Sequence, residues 1–355
     1  MKSINNIYVL VLTAFAFLLV DAAYAQDASF SQHYASPLYL SPSFTGLSEG
    51  SRMSLHYRDQ WPGIPGTYKT MSFAFDHYLS EYNSGIGLQF YRDDAGGGLL
   101  VNQNIGLLYA YEIFVSEDIM IRPGLQFKLA QSFIDPAKGT TGSMFGWDGS
   151  RVDGTGIIVD QDKINKFDAA ASVMIYSNFY WGGLSVDHLV KSDVGFTDIE
   201  TNTAMKMTAF GGVKWVYKEG RRSPDQSITF AFNYRKQADF TQLDLGTYWQ
   251  YNPIELGLWY RGMPSDNTEG LGNQDAMIAI IGVHLGQMRL GYSFDLTLSE
   301  LAGNTGGSHE FSIMYTIPSS NKPKINRRAV PCSQPGYTGN APSGNKYRSR
   351  SRRMF

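Results

Sequence analysis

Hydrophobic residues recur at every second position through most of this chain, a spacing that builds strands and not helices. In Ser227–Arg235, Ile228, Phe230, Phe232 and Tyr234 fall on one face, and Ser227, Thr229, Ala231 and Asn233 on the other. Successive side chains of a strand point to opposite faces, so this is a sheet with one apolar and one polar side. The same alternation carries Met71, Phe73 and Phe75, then Ile105, Leu107, Tyr109, Tyr111 and Ile113. It returns in Tyr292, Phe294, Leu296 and Leu298, and in Phe311, Ile313, Tyr315 and Ile317. Segments near Leu55, Leu88, Leu125, Val173, Leu184, Val213, Leu245, Leu258 and Ile281 complete about 14 strands with no helical pattern between them.

A soluble sandwich would also alternate, so the connections decide. From a first strand near Arg52–Asp59, the odd connections are mostly long: Gln60–Thr67, Asp93–Gly98, Asp135–Asn165, Lys191–Thr203, Met263–Asn273 and Ser299–Gly307. The even ones are mostly short: Ser80–Asn83, Ser116–Glu117, Ser177–Asn178, Asn252–Pro253 and Gly286–Gln287. The short Lys236–Ala238 and the longer Lys218–Gln226 depart from the rule. Short turns alternating with long loops mark a transmembrane antiparallel β-barrel, with periplasmic turns and extracellular loops. Trp61, Tyr180, Trp181, Trp215, Tyr217, Trp249, Tyr251, Trp259 and Tyr260 sit near strand ends and fit interfacial girdles.

The two ends read differently from the body. Lys2, the apolar run Ile7–Val20 and Ala23-Tyr24-Ala25 compose a secretory signal peptide, with Gln26 expected as the first mature residue. The run is shorter than the roughly 18 residues a membrane span needs. Nine of the 30 Lys and Arg residues, and none of the 32 Asp and Glu, fall after Ser320, so the body before them stands at −11. An acidic body with a basic tail does not suit nucleic acid. The tail is expected to be disordered on its own, because its Pro, Ser, Gly and cations cannot bury a core. The single cysteine, Cys332, excludes an intrachain disulfide.

Reactive constellations are weak. The six histidines stand singly, without the spacing of a helical zinc site. Adjacent Asp187 and His188 should point to opposite faces of a strand, which rules out a direct dyad. Asp93–Gly98 is glycine-rich but lacks the helix and lysine of a phosphate cradle. Asp148, Asp153, Asp160 and Asp162 match no calcium-loop spacing. No enzyme activity, metal or cofactor is expected.

Three stretches together resemble the PorP/SprF family of type IX secretion proteins of Bacteroidota. Ala28–Gly46 (ASFSQHYASPLYLSPSFTG) resembles its opening signature, with Pro37, Leu38, Tyr39 and Pro42. Tyr57–Ser72 (YRDQWPGIPGTYKTMS) is similar to its Arg-x-Gln-Trp segment, with Arg58, Gln60, Trp61 and Gly63. Gly291–Tyr315 (GYSFDLTLSELAGNTGGSHEFSIMY) resembles its closing hairpin, with Ser299, Leu301, His309 and Glu310. The prolines of the first stretch suggest an extended segment entering the barrel rather than a helix. His309 and Glu310 are candidates to pin the closing hairpin. The basic extension after Cys332 departs from the family's shorter end.

The expected organisation is a signal peptide at 1–25, an extended periplasmic segment at 26–50, the barrel at 51–317 and a basic periplasmic tail at 318–355. An even number of strands would leave both termini in the periplasm. The resemblance implies an outer-membrane component of the type IX apparatus that supports secretion or surface attachment of cargo, including gliding adhesins. Its partners would be outer-membrane lipid, other secretion subunits including the periplasmic ring, and the cargo. Arg327, Arg328 and Cys332 are candidate tail contacts. The rival expectation is a general porin or small-molecule transporter.

Overall fold

The computed structural model describes residues 27–48, 50–64, 66–116, 118–135, 138, 163–191, 203–218, 226–262, 276–298 and 305–318. The expected signal peptide, the basic tail, and Asp148, Asp153, Asp160 and Asp162 lie outside them. The first half of the wall is β1 (Gly50–Gln60), β2 (Tyr68–Leu79), β3 (Ser84–Ala95), β4 (Leu100–Tyr111), β5 (Ile113–Phe114), β6 (Met120–Ile134) and β7 (Lys163–Tyr176). The second is β8 (Tyr180–Asp187), β9 (Lys206–Lys218), β10 (Gln226–Gln237), β11 (Phe240–Tyr251), β12 (Ile254–Gly262), β13 (Ala276–Leu285), β14 (Met288–Thr297) and β15 (Ser308–Pro318). The two-residue β5 continues β4 beyond Glu112 along the same neighbour, β6, so the barrel has fourteen staves.

Every pairing is antiparallel between neighbours, and β1 closes on β15 from Gly50↔Pro318 to Gln60↔Ser308. Closure leaves no open edge, which satisfies the backbone groups of a sheet that has no water outside it. The short connections gather at one end of the barrel (the turn end) and the long ones at the other (the loop end). The 219–225 connection remains the longer exception at the turn end, and Ala238-Asp239 the short one at the loop end. In the glycine-rich turn between β3 and β4, Gly96, Gly97 and Gly98 all take positive φ, a conformation that favours glycine.

The faces sort as the alternation predicts. On β1, Arg52, Ser54, His56 and Arg58 are buried, whereas Met53 and Leu55 are exposed on the outside. On β10, Thr229 and Asn233 face inward, and Phe230 stands 57% exposed. Replacing Phe230 by Arg should therefore cost about 2–4 kcal/mol near the bilayer midplane. Urea unfolding of the lipid-refolded protein, with Thr229→Ala as the inward control, measures it; a tolerated arginine would reverse the assigned faces.

A fourteen-stave barrel is wider than the roughly eight strands whose own side chains fill the interior. The N-terminal segment supplies the remainder. Phe30, Tyr34, Leu38, Leu40, Phe44 and Leu47 are all buried in the lumen. Instead of running extended, the segment makes one helical turn, α1 (Pro37–Leu40), and one 3-10 turn (Pro42–Phe44). Each proline opens its turn, where a missing N–H costs nothing. Tyr34 packs edge-on against Trp181 at 5.5 Å and His33 against Trp259 at 5.2 Å, and Phe44 meets Phe210 in a tilted contact at 5.2 Å. Trp181 and Trp259 thus belong to the interior and not to the expected girdles, while Trp215, Tyr217, Trp249 and Tyr251 remain outside. Gly246 makes room for this core: a Cβ there would lie 2.0 Å from the Trp259 ring.

Candidate functional site

The three motif stretches converge inside the barrel where β1 meets β15. Arg58 reaches from β1 to Asp295 on β14 at 2.8 Å and to Glu310 on β15 at 3.3 Å. Glu310 also accepts the backbone N–H groups of Ser31 at 2.7 Å and Gln32 at 3.1 Å. Ser31 donates its hydroxyl to Asp295 at 2.6 Å, and Gln32 Oε1 accepts from Ser312 at 2.6 Å. Arg261 extends the network to Asp295 and Asp244, both at 3.2 Å, and Asp244 lies 2.8 Å from His33. Charge-assisted bonds to two consecutive backbone amides fix the segment's position as well as its presence.

The turn end holds the other end of the segment. Arg52 makes a paired contact with Asp76 at 2.9 and 3.0 Å and donates to the Phe44 carbonyl at 3.1 Å. Gly46 donates its N–H to Asp76 at 2.7 Å. Arg122 binds the Thr45 carbonyl and Glu112, which also accepts from Tyr78 and Tyr176.

The opposite extremity of the segment lies at the loop end. Asp27 meets Lys206 at 2.7 Å and His188 at 3.0 Å, and its N–H donates to Gln237 at 3.1 Å. The segment therefore traverses the lumen, and the described chain begins and ends at opposite ends of the barrel. The strands of the wall begin and end on one side, with Gly50 opposite Pro318 at the turn end, and residues 27–48 cross the lumen before the first strand. His188 also departs from expectation. Strand β8 stops at Asp187, and His188 turns to positive φ, so both side chains join one cluster. Burial would lower the His188 imidazole, but Asp27 and the Asp168 hydrogen bond at 2.7 Å raise it to about 9. Burial would likewise raise Asp27, but Lys206 and His188 hold its carboxyl well below the usual range.

The remaining motif residues divide by role. Leu38 is buried, and Tyr39 stacks on Tyr91 with ring centres 5.3 Å apart. The chain beyond Gln60 follows the closing loop, with Trp61 N–H to the Gly307 carbonyl and Gly63 N–H to the Thr305 carbonyl, both 2.9 Å. His309 and Glu310 part company. His309 meets Tyr292 at 2.9 Å and ties β15 to β14, whereas Glu310 turns inward to the N-terminal segment. Ser299, Leu301, Arg327, Arg328 and Cys332 lie outside the described residues.

Sequence reasoning did not single out Ser31, Gln32, Asp244, Arg261 or Asp295. Asp244, Arg261 and Asp295 carried a signal, as charged residues at inward strand positions, whereas Ser31 and Gln32 are uncharged residues of the N-terminal segment and carried none.

A closed barrel with a polar interior, an apolar exterior and its lumen filled by its own N-terminal segment defines an occluded outer-membrane-type barrel. Residues 22–315 match the family model described as type IX secretion system membrane protein PorP/SprF, and the chain belongs to that family. Fold and family together point to the outer membrane, and membership implies interaction with other secretion subunits. Among curated proteins, no sequence matches this chain.

Similar solved structures are distant. The CymD monoaromatic hydrocarbon channel is 11% identical over 83% of this chain and 96% of its own, with a TM-score of 0.49. The P. putida toluene transporter TodX is 7% identical over 82% and 95%, with a TM-score of 0.45. A Pseudomonas aeruginosa FadL homologue is 10% identical over 83% and 100%, with a TM-score of 0.41.

Proposed function

We propose that this protein is a non-enzymatic, closed barrel that serves type IX export as an outer-membrane docking platform for cargo or adhesins, and not as an aqueous pore. The observation that carries the reading is the lumen itself, traversed from the loop end to the turn end by residues 27–48, which are latched at both ends by buried ion pairs. A general porin needs a water-filled lumen. The long-loop end faces outward in this reading and offers the surface on which cargo is retained.

Purified protein in liposomes should show no swelling in isotonic sugar beyond protein-free vesicles. Sugar-driven swelling would support the transporter instead. A secretome comparison between wild type and a deletion strain should show particular proteins lost from the surface, and an unchanged secretome would remove the export role.

The basic tail follows β15 at the turn end and, in this reading, enters the periplasm. Its cations suit an acidic surface such as that of a periplasmic ring subunit. Truncation after Pro331 should leave barrel assembly unchanged and abolish salt-sensitive co-purification with the ring. Retained pull-down would move docking to the barrel turns.

A further inference from the structure

Beside the plugged core lies a chamber of about 290 Å³ at the loop end, between the N-terminal segment and the inner faces of β3, β4 and β6 to β9. Most of its charged side chains hold one another. Lys128 lies 3.2 Å from both Asp168 and Asp187, and Lys206 contacts Asp27 at 2.7 Å and Asp187 at 3.5 Å. His188 meets Asp27 at 3.0 Å and Asp168 at 2.7 Å. Two charges remain, one of each sign. Among the described residues, no cation pairs with Asp93 and no carboxylate pairs with Lys166, and both line the chamber. Asp93 is 8% exposed, and its Oδ1 accepts from the Thr70 hydroxyl at 2.6 Å. Its Oδ2 makes no hydrogen bond and is not sealed by protein, so it opens to the chamber. The half-buried Lys166 ammonium donates to the Thr203 hydroxyl at 3.3 Å and keeps its charge unmatched.

An unmatched charge inside a barrel is costly, and a ligand that brings the opposite charge removes that cost. The register runs from Asp93 on β3 to Asn102 on β4, Ser132 on β6 and Ile164 on β7, two residues before Lys166. Three strand spacings of about 4.8 Å place the two backbones on the order of 14 Å apart along the wall. Their side chains turn inward from those positions without meeting, which leaves a gap for a small molecule that carries both charges. A purely cationic or anionic ligand would match one group and strand the other. Asn102 and Asn104, on β4 between them, add amide donors and acceptors. The volume sits near the lower bound of roughly 300–1,000 Å³ for small-molecule sites. We propose that this chamber binds one free amino acid as its zwitterion, with the ammonium at Asp93, the carboxylate at Lys166 and an uncharged side chain.

Binding here is independent of the docking function, since it requires neither transport nor secretion. Full-length protein in detergent should be probed by saturation-transfer NMR with glycine, L-serine and L-asparagine. The companion probes are N-acetyl-L-serine, which lacks the ammonium, L-serine methyl ester, which lacks the carboxylate, and glycylglycine. At least one free amino acid should receive saturation, and each blocked serine should bind about tenfold more weakly than serine. Asp93→Asn keeps an acceptor for Thr70 and should weaken serine about tenfold while leaving N-acetyl-L-serine nearly unchanged. Lys166→Gln should do the reverse, weakening serine and sparing the methyl ester. A merely structural role for either residue would weaken all probes alike. Heat-modifiable electrophoretic mobility checks that each variant is folded, and the blocked serines decide on the unaltered protein should a variant misfold. No transfer to any free amino acid, blocked serines or glycylglycine binding as well as serine, or serine binding that survives both substitutions would each overturn the assignment.

Discussion

Removing residues 28–47 should turn a silent barrel into a conducting one in planar bilayers. The wall does not depend on the segment for its backbone pairing, since β1 begins at Gly50 and zips to β15 over its full length. What the segment supplies is the filling, together with partners for inward charges that water can otherwise solvate. A folded deletion protein, identified by its heat-modifiable mobility, should show stepwise openings absent from the intact chain. If it stays silent, the segment is not what closes the lumen. A point change tests the latch without shortening the chain. Glu310→Ala strips Arg58 of a buried partner and leaves the Ser31 and Gln32 N–H groups unmet. Breaking such a buried pair costs about 3–5 kcal/mol. The urea midpoint should fall accordingly, and an unchanged midpoint would show that Glu310 is not a latch.

The second large effect is all-or-none labelling. With the loop end outward, a cysteine at Ala28 should react with an impermeant maleimide on intact cells, in a Cys332→Ser background. A cysteine at Glu81, exposed at the turn end, should react only after the outer membrane is permeabilised. The contrast follows from the crossing of the lumen: Asp27 contacts residues at the loop-end strand termini, while Gly46 is bound at the turn end. Labelling at Glu81 with protection at Ala28 would invert the barrel. Labelling at neither on intact cells would return the start of the segment to the periplasmic side.

Some of this was legible in the residues because it depends on local periodicity. Which face of β10 meets lipid follows from Phe230 and Phe232 alternating with Thr229 and Asn233. The period-two segments similarly implied about fourteen strands, and the alternation of short and long connections implied a transmembrane barrel. Periodicity says nothing about what lies across the lumen. Trp181 and Trp259 look like girdle residues in sequence, because an aromatic near a strand end has the same neighbours whether it points to lipid or to Tyr34. His188 looks like the outward neighbour of Asp187 until the strand ends between them. Glu310 and His309 look like one device, yet the pleat sends them to opposite faces.

The sequence by itself determined the barrel, its inside and outside, and the family, because each is written in residues close together along the chain. Only the tertiary structure decided that the barrel is closed by its own beginning. That closure joins Ser31 to Glu310 and Arg58 to Asp295, contacts between residues more than 200 positions apart. Nothing local couples such residues. They meet because fourteen staves enclose more space than their own side chains fill, and a segment bearing Phe30, Tyr34 and Phe44 is the nearest apolar chain available to fill it.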